Sequence, residues 1–432
     1  MYTTSEIVHV LWAQIYFYVF LVNLRSFFQF LNLLILKFKN LIRKSKNIDT
    51  ESLAIVSKIV YRYHREFLDS AFPDRFIEKF ERYVNPEEII TPKNDRIFLY
   101  SVERHQATFI ELPKSICEYN AATTPFAHPR MFRDAIKTIR IPITQFHRLA
   151  DRYGDPTCPV VLLWSSGRCG STLLSKLVAL ANPKVLTLSE PDLFTSLYQI
   201  VEDEKCQPEE KNAIVRSSLR LFFRPMENVD AIFMKPRVYR VGWMPRLFRD
   251  LPTVRHMFLH RHNRMDAMKS AFTAARPQLV VKQTYIRANY PRLAKITNLW
   301  SLKLSEDVEQ AAKEAGLKNS LFEVICRFRG EHDVAFLKCK QRYDKILFYE
   351  DLIKDPKSMV QDVFEQLQLP CPPLDRMDEW MKEDSQAGTP LSSKNSEGKE
   401  KMLSAIAKDK EVLIRIQRFI DILPRITKAS DE

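Results

Sequence analysis

VVLLWSSGRCGSTLLSKL, residues 160–177, reads as a buried strand, a tight glycine-containing turn and the first turns of a helix. Val160–Trp164 is a short β-rich apolar run, and the helical spacing of apolar residues resumes after Ser171. Such a turn gathers the backbone N–H groups of Gly167 to Thr172 at a helix N-terminus, where the donors and the helix dipole hold an anion such as phosphate. Gly167 and Gly170 permit backbone approach that a Cβ would block, and the whole chain has only eight glycines, so two in one turn carry weight. Ser171 and Thr172 add hydroxyl donors. A capped helix after an ordinary turn would use the same residues.

Working outward, four more β-rich runs follow, at Val185–Leu188, Ala231–Met234, His256–Leu259 and Ile346–Tyr349, with helical or polar stretches between them. That alternation predicts an α/β domain, a three-layer P-loop sandwich with a central parallel sheet, running from residue 155 to 432. Ligands of such sheets bind at the carboxyl ends of the strands. The motifs fall there. LSEPDLF ends the second strand with Glu190, twenty-two positions after Arg168, followed by a proline that stops the strand. Glu190 is either a proton acceptor or a helix N-terminal carboxylate. IFMKPR ends another strand with Lys235 and Arg237, and Lys235 reads as a charge stabiliser or as plain surface charge.

The turn lacks the lysine of G-x-x-x-x-G-K-[ST], which demotes an ordinary ATPase or kinase. Arg168, Cys169, Gly170, Ser171 and Thr172 instead resemble the 5′-phosphosulfate-binding loop of sulfotransferases, nearest in motif to the carbohydrate and tyrosylprotein types, which also place Arg at this point. The resemblance spans Cys158 to Ala405. It implies transfer of a sulfuryl group from 3′-phosphoadenosine 5′-phosphosulfate to a hydroxyl on a carbohydrate, a protein tyrosine or a small amphiphile, without a metal. It implies Arg168 at the bridging oxygen, Glu190 as base and Lys235 on the transferring group. Cytosolic members have Lys-Thr-His at the Lys235 segment, with the His as base; Arg237 stands there in this chain.

RHNRMDAMKSAF, residues 261–272, resembles the 3′-phosphate-binding segment, in which an Arg precedes a helical Ser by eight positions. Counting back from Ser270 gives His262, not Arg261, so both are candidates. ILFYEDLIKDP, residues 346–356, resembles a strand-plus-helix segment common to the family and implies a role in the fold. The polar stretch SQAGTPLSSKNSEGK, residues 385–399, corresponds to a loop that closes over the 3′-phosphate in the family, which makes Lys394 a candidate; a solvated loop is the plain alternative.

Residues 49–154 read as an accessory α+β lobe without a chemical motif, suited to packing or acceptor recognition. Its Ser52–Phe80 stretch has helical spacing, RIFLYSV and ATFIEL read as strands, and PRMFRDAIKTIRIP and ITQFHRLADRYG read as helices separated at Pro142. Residues 1–48 hold eighteen residues without formal charge, Ile7 to Leu24, followed by the basic cluster Arg25, Lys37, Lys39, Arg43, Lys44 and Lys46. This predicts a membrane-associated protein with a single span, an interfacial helix being the alternative. Family resemblance implies the Golgi with a lumenal domain; the basic flank and the absence of N-x-S/T sequons point to a cytosol-facing one. A net charge of +13 suits an anionic partner, though no recognised nucleic-acid reader is present. Seven scattered cysteines without a CxxC pair predict reduced thiols and no zinc site. An inactive nucleotide-binding membrane protein of the same fold is the alternative reading.

Overall fold

The computed structural model describes residues 52–63, 76–237, 253–274, 304–318, 320–389 and 408–429, with Ser392 and Ser404 besides. Five strands, β6 (Val160–Ser165), β7 (Val185–Ser189), β8 (Ala231–Lys235), β9 (Arg255–His260) and β10 (Lys345–Phe348), form a wholly parallel sheet in the order β10-β9-β6-β8-β7. Each expected strand is present within a residue or two of its expected limits. The order places β6 at the centre, with β8 and β7 to one side and β9 and β10 to the other. Connections therefore diverge at the carboxyl end of β6, the topological position at which α/β sheets bind ligands.

The sheet is buried on both faces because most residues of its strands are apolar, and the pleat divides them between two cores. Val160, Leu162 and Trp164 of β6, with Ile232 and Met234 of β8, face one core; Val161, Leu163, Ala231 and Phe233 face the other. The second core is closed by helices Ser171–Ala181, Pro356–Gln366 and Met377–Lys382, through Leu174, Leu177, Val178, Met359, Val363 and Trp380. The first is closed by helices Leu193–Glu202 and Pro208–Phe222. A third apolar cluster joins helices Arg264–Ala274, Glu306–Glu314, Leu321–Cys339 and Lys410–Ala429.

The lobe before Gly154 is a five-stranded antiparallel sheet, β2-β1-β5-β4-β3, built from β1 (Ala54–Arg62), β2 (Phe76–Val84), β3 (Ile97–Val102), β4 (Gln106–Glu111) and β5 (Lys137–Pro142). Two expectations are corrected here. The Ser52–Phe80 stretch contributes β1 and the start of β2 instead of a helix. Register shifts between Val56 and Ser57 and between Ile59 and Tyr61 break the strand's alternation, so its apolar residues take on helix-like spacing. PRMFRDAIKTIRIP is helical only to Asp134; its β-branched second half is β5, paired on both sides by β1 and β4. ITQFHRLADRYG is the helix Ile143–Tyr153, ended by Gly154 at φ 70°.

The membrane assignment is also corrected. Among the described residues no helix is long and apolar enough to cross a membrane. The longest two, Leu321–Cys339 and Lys410–Ala429, carry charged side chains along their length. The Ile7–Leu24 segment lies outside the described residues. All seven cysteines are free thiols.

Phe222 fastens the two sheets together. Its ring lies 4.7 Å from Phe98 of β3 and 5.7 Å from Phe194, both edge-on, and it belongs to the core shared by the antiparallel lobe and the parallel sheet. Phe222→Ala is expected to lower the unfolding free energy by roughly 3–5 kcal/mol, read from urea denaturation. A loss below 1 kcal/mol would show that the two layers do not depend on this ring.

Candidate functional site

A cavity of about 390 Å³ opens at the carboxyl end of the parallel sheet, lined by Gly167, Arg168, Gly170, Ser171, Thr172, Glu190, Lys235, Arg261 and Ser270. Nine residues singled out from the sequence thus converge on one space, of a size suited to a small-molecule ligand. Its floor is the turn after β6. Gly167 and Gly170 take φ 69° and 83°, and Arg168 takes φ 54°, a left-handed conformation uncommon for a side chain of that size. At Gly170 the requirement is also steric, because a Cβ would lie 2.8 Å from Cδ2 of Tyr349. The helix Ser171–Ala181 starts there without a described side-chain cap, leaving its first-turn N–H groups to the cavity.

Above the turn Lys235 ties three parts of the site together. Its Nζ donates to Glu190 Oε1 at 2.5 Å, to Thr172 Oγ1 at 3.2 Å and to Ser189 Oγ at 3.4 Å. The side chain is almost wholly buried, so its charge relies on these acceptors. Glu190 extends the β7 edge: its N–H donates to the Lys235 carbonyl at 2.7 Å, and its backbone then turns left-handed at φ 57°.

Two guanidinium groups face the same space. Arg168 Nη1 donates to Gln386 Oε1 at 3.1 Å, and Arg261 lies over the Tyr349 ring at 3.9 Å. Burial, then the neighbouring Arg261 charge, pushes Arg168 below its ordinary pKa. The Nε atoms of both arginines are buried and have no hydrogen-bond partner among the described residues. Two like charges with unused donors beside an uncapped helix N-terminus form a site for an anion.

Two of the expected residues lie elsewhere. Cys169 is fully buried and its thiol faces the Leu259 carbonyl at 3.2 Å, so it contributes backbone and packing only. His262 is exposed, stacked on Phe348 at 3.8 Å with its N–H donating to Glu350. Arg261, directly after β9, occupies the cavity in its place. Lys394 lies outside the described residues. Conversely, Phe126, Tyr349, Asp384, Ser385 and Gln386 line the cavity without having been singled out as site residues. Gln386 also donates to Thr172 Oγ1 at 3.4 Å, bridging that hydroxyl to Arg168. Gln386 lies in the polar stretch 385–399, from which Lys394 had been chosen for its charge, whereas Tyr349 stood inside a motif read as purely structural. Among the described residues no cluster of His, Cys, Asp or Glu could hold a metal ion.

No family model matches the chain, and no curated protein matches it. Among solved structures, a sulfotransferase from Alicyclobacillus acidocaldarius aligns over 61% of this chain and 95% of its own, at 14% identity and a TM-score of 0.30. The chain is similar to sulfotransferases. A second, from Mycobacterium tuberculosis, covers 63% of this chain and 78% of its own at 12% identity and a TM-score of 0.30. The sulfotransferase domain of the curacin biosynthetic pathway covers 62% and 98%, at 14% identity and 0.32. At such scores no residue correspondence follows, and the roles of individual side chains rest on this chain's own geometry.

Beneath the turn, buried histidine chemistry holds the loop in place. His260 Nδ1 lies 3.0 Å from Ser166 Oγ and its Nε2 lies 3.8 Å from Asp333, which accepts from Arg329 at 2.7 Å. Burial outweighs the pull of Asp333 and lowers the His260 pKa to about 4; burial does the same to His256. Between those values and the ordinary 6.5 the unfolded chain binds protons that the folded chain does not. Stability therefore falls as pH drops from about 6.5 toward 4, by roughly 3 kcal/mol for each histidine at the acid end. Urea denaturation at pH 7 and pH 4.5 measures this, and His260→Gln is expected to flatten the dependence by about half. An unchanged slope in the variant would assign the acid sensitivity to other groups.

Proposed function

We propose that this chain is a sulfotransferase that moves a sulfuryl group from 3′-phosphoadenosine 5′-phosphosulfate to an acceptor hydroxyl. The observation that carries the reading is the Lys235 ammonium, which joins a carboxylate, Glu190, and a phosphate-loop hydroxyl, Thr172, in one hydrogen-bonded unit at the sheet's carboxyl edge. General base, cation and anion site are adjacent, as a transfer from an anionic donor to a hydroxyl requires.

The residues present fit the donor's two phosphate ends. The first-turn N–H groups of the helix Ser171–Ala181, Ser171, Thr172 and the Arg168 guanidinium would hold the 5′ end, and Arg261 with Ser270 the 3′ end. When bound, the donor supplies an activated sulfuryl group on a phosphate leaving group. Glu190 accepts the proton of the acceptor hydroxyl. Lys235 and Arg168, both linked to Thr172, provide positive charge where the leaving phosphate gains negative charge. Since these groups are already fixed by the fold, little reorganisation is needed as charge shifts.

Calorimetric titration of the full chain with 3′-phosphoadenosine 5′-phosphate is expected to show binding well above that of ATP, weakened at least tenfold by Arg168→Ala, the loss of about one charge-assisted contact. Turnover with a panel of hydroxyl acceptors is expected to fall about 10²- to 10⁴-fold in Glu190→Gln, with the bisphosphate affinity retained. Equal binding of ATP that ignores Arg168 would remove the sulfotransferase reading. Bisphosphate binding without transfer to any acceptor would favour a nucleotide-binding protein of the same fold.

A further inference from the structure

The antiparallel lobe reaches the proposed catalytic pair through one short segment. β7 is the edge strand of the parallel sheet, and the lobe covers it. The Ala121 N–H donates to the Thr187 carbonyl of β7 at 3.0 Å, which satisfies an edge acceptor and places the following residues alongside the strand's end. Phe126 and the helix Ala127–Asp134 follow at once. Phe126 lines the cavity, with the Lys235 ammonium 5.1 Å from its ring centroid. His128 is fully buried, and its Nδ1 lies 3.1 Å from the Glu190 carbonyl oxygen. A carbonyl can only accept, so His128 donates from Nδ1.

The backbone of Glu190 is therefore held at both ends, by the Lys235 carbonyl on its N–H and by His128 on its C=O. That matters because the residue adopts φ 57°, a conformation that a glutamate leaves unless its surroundings over-determine it. The direction of the carboxylate follows from this backbone turn. On the sulfotransferase reading, on which this inference rests, the direction decides whether Glu190 meets an acceptor hydroxyl.

We propose that Phe126 and His128 are positioning residues of the Glu190–Lys235 pair, so that the lobe before Gly154 completes the reactive site as well as packing against the sheet. His128 orients Glu190 through its main chain, and the Phe126 ring confines the Lys235 ammonium. Neither takes part in proton or group transfer.

The test compares His128→Leu, which keeps bulk and removes the donor, with His128→Asn, whose amide nitrogen matches the place of Nδ1. Full-length variants are assayed for kcat, acceptor KM and calorimetric affinity for 3′-phosphoadenosine 5′-phosphate. His128→Leu is expected to lower kcat about 10- to 100-fold, the scale of a displacement near 1 Å, with bisphosphate affinity within about threefold of wild type. His128→Asn is expected to recover most of that kcat. Phe126→Leu is expected to lower kcat by about 3- to 10-fold through loss of the ring's interaction with the cation. Unchanged kcat in His128→Leu overturns the proposal while leaving the function standing. So does equal impairment of both His128 variants, or a parallel loss of bisphosphate binding, since either outcome describes packing instead of orientation. A wild-type chain that neither binds the bisphosphate nor transfers a sulfuryl group overturns the function itself, and the positioning roles with it.

Discussion

Lys235 ends a strand whose other residues are all buried, and its ammonium must find acceptors within reach or remain an uncompensated charge. The three acceptors it finds come from two different places: Ser189 and Glu190 from the end of β7, and Thr172 from the helix after β6. Pairing this one cation therefore sets the distance between the carboxylate and the glycine turn. The parallel sheet makes that possible. With both faces given to apolar cores, most polar groups of the strands collect at the ends, and the parallel direction brings every carboxyl end to the same edge.

Other parts of the chain clamp this edge. Tyr349 occupies the space that a Cβ on Gly170 would need and supports the Arg261 guanidinium on its ring face, so one aromatic side chain fixes both the turn and a cation facing it. Gln386 bridges Arg168 and Thr172, while the preceding Glu383 accepts from Lys176 on the helix of the turn at 2.6 Å. The segment 383–386 is thus fastened to the glycine turn and its helix at two points. On the opposite flank the antiparallel lobe protects the β7 edge, and that protection brings His128 against Glu190.

The element types of the parallel domain were legible because each has a strong local signature. Short β-branched and aromatic runs between helical stretches identify strands buried on both faces, and the glycine pair marks the turn by its conformational demand. The lobe was less legible. Register shifts in β1 produced a helix-like period from a strand, and β5 was hidden behind the helix that precedes it in one continuous apolar pattern.

The sequence by itself determined which chemical groups were on hand: an arginine and two hydroxyls on a glycine turn, a glutamate and a lysine at strand ends, and an arginine and a serine around a helix start. Only the tertiary structure decided between neighbours such as Arg261 and His262, because that choice depends on which way the chain leaves β9 and on the aromatic ring waiting for each: Tyr349 for one and Phe348 for the other. It alone recruited Gln386 and His128, whose contacts to Arg168 and Glu190 cross 218 and 62 positions of chain. Local pattern reports the conformation of a segment and the side chains it offers. Which distant side chain meets them is set by how the layers stack, and no short stretch of residues encodes that.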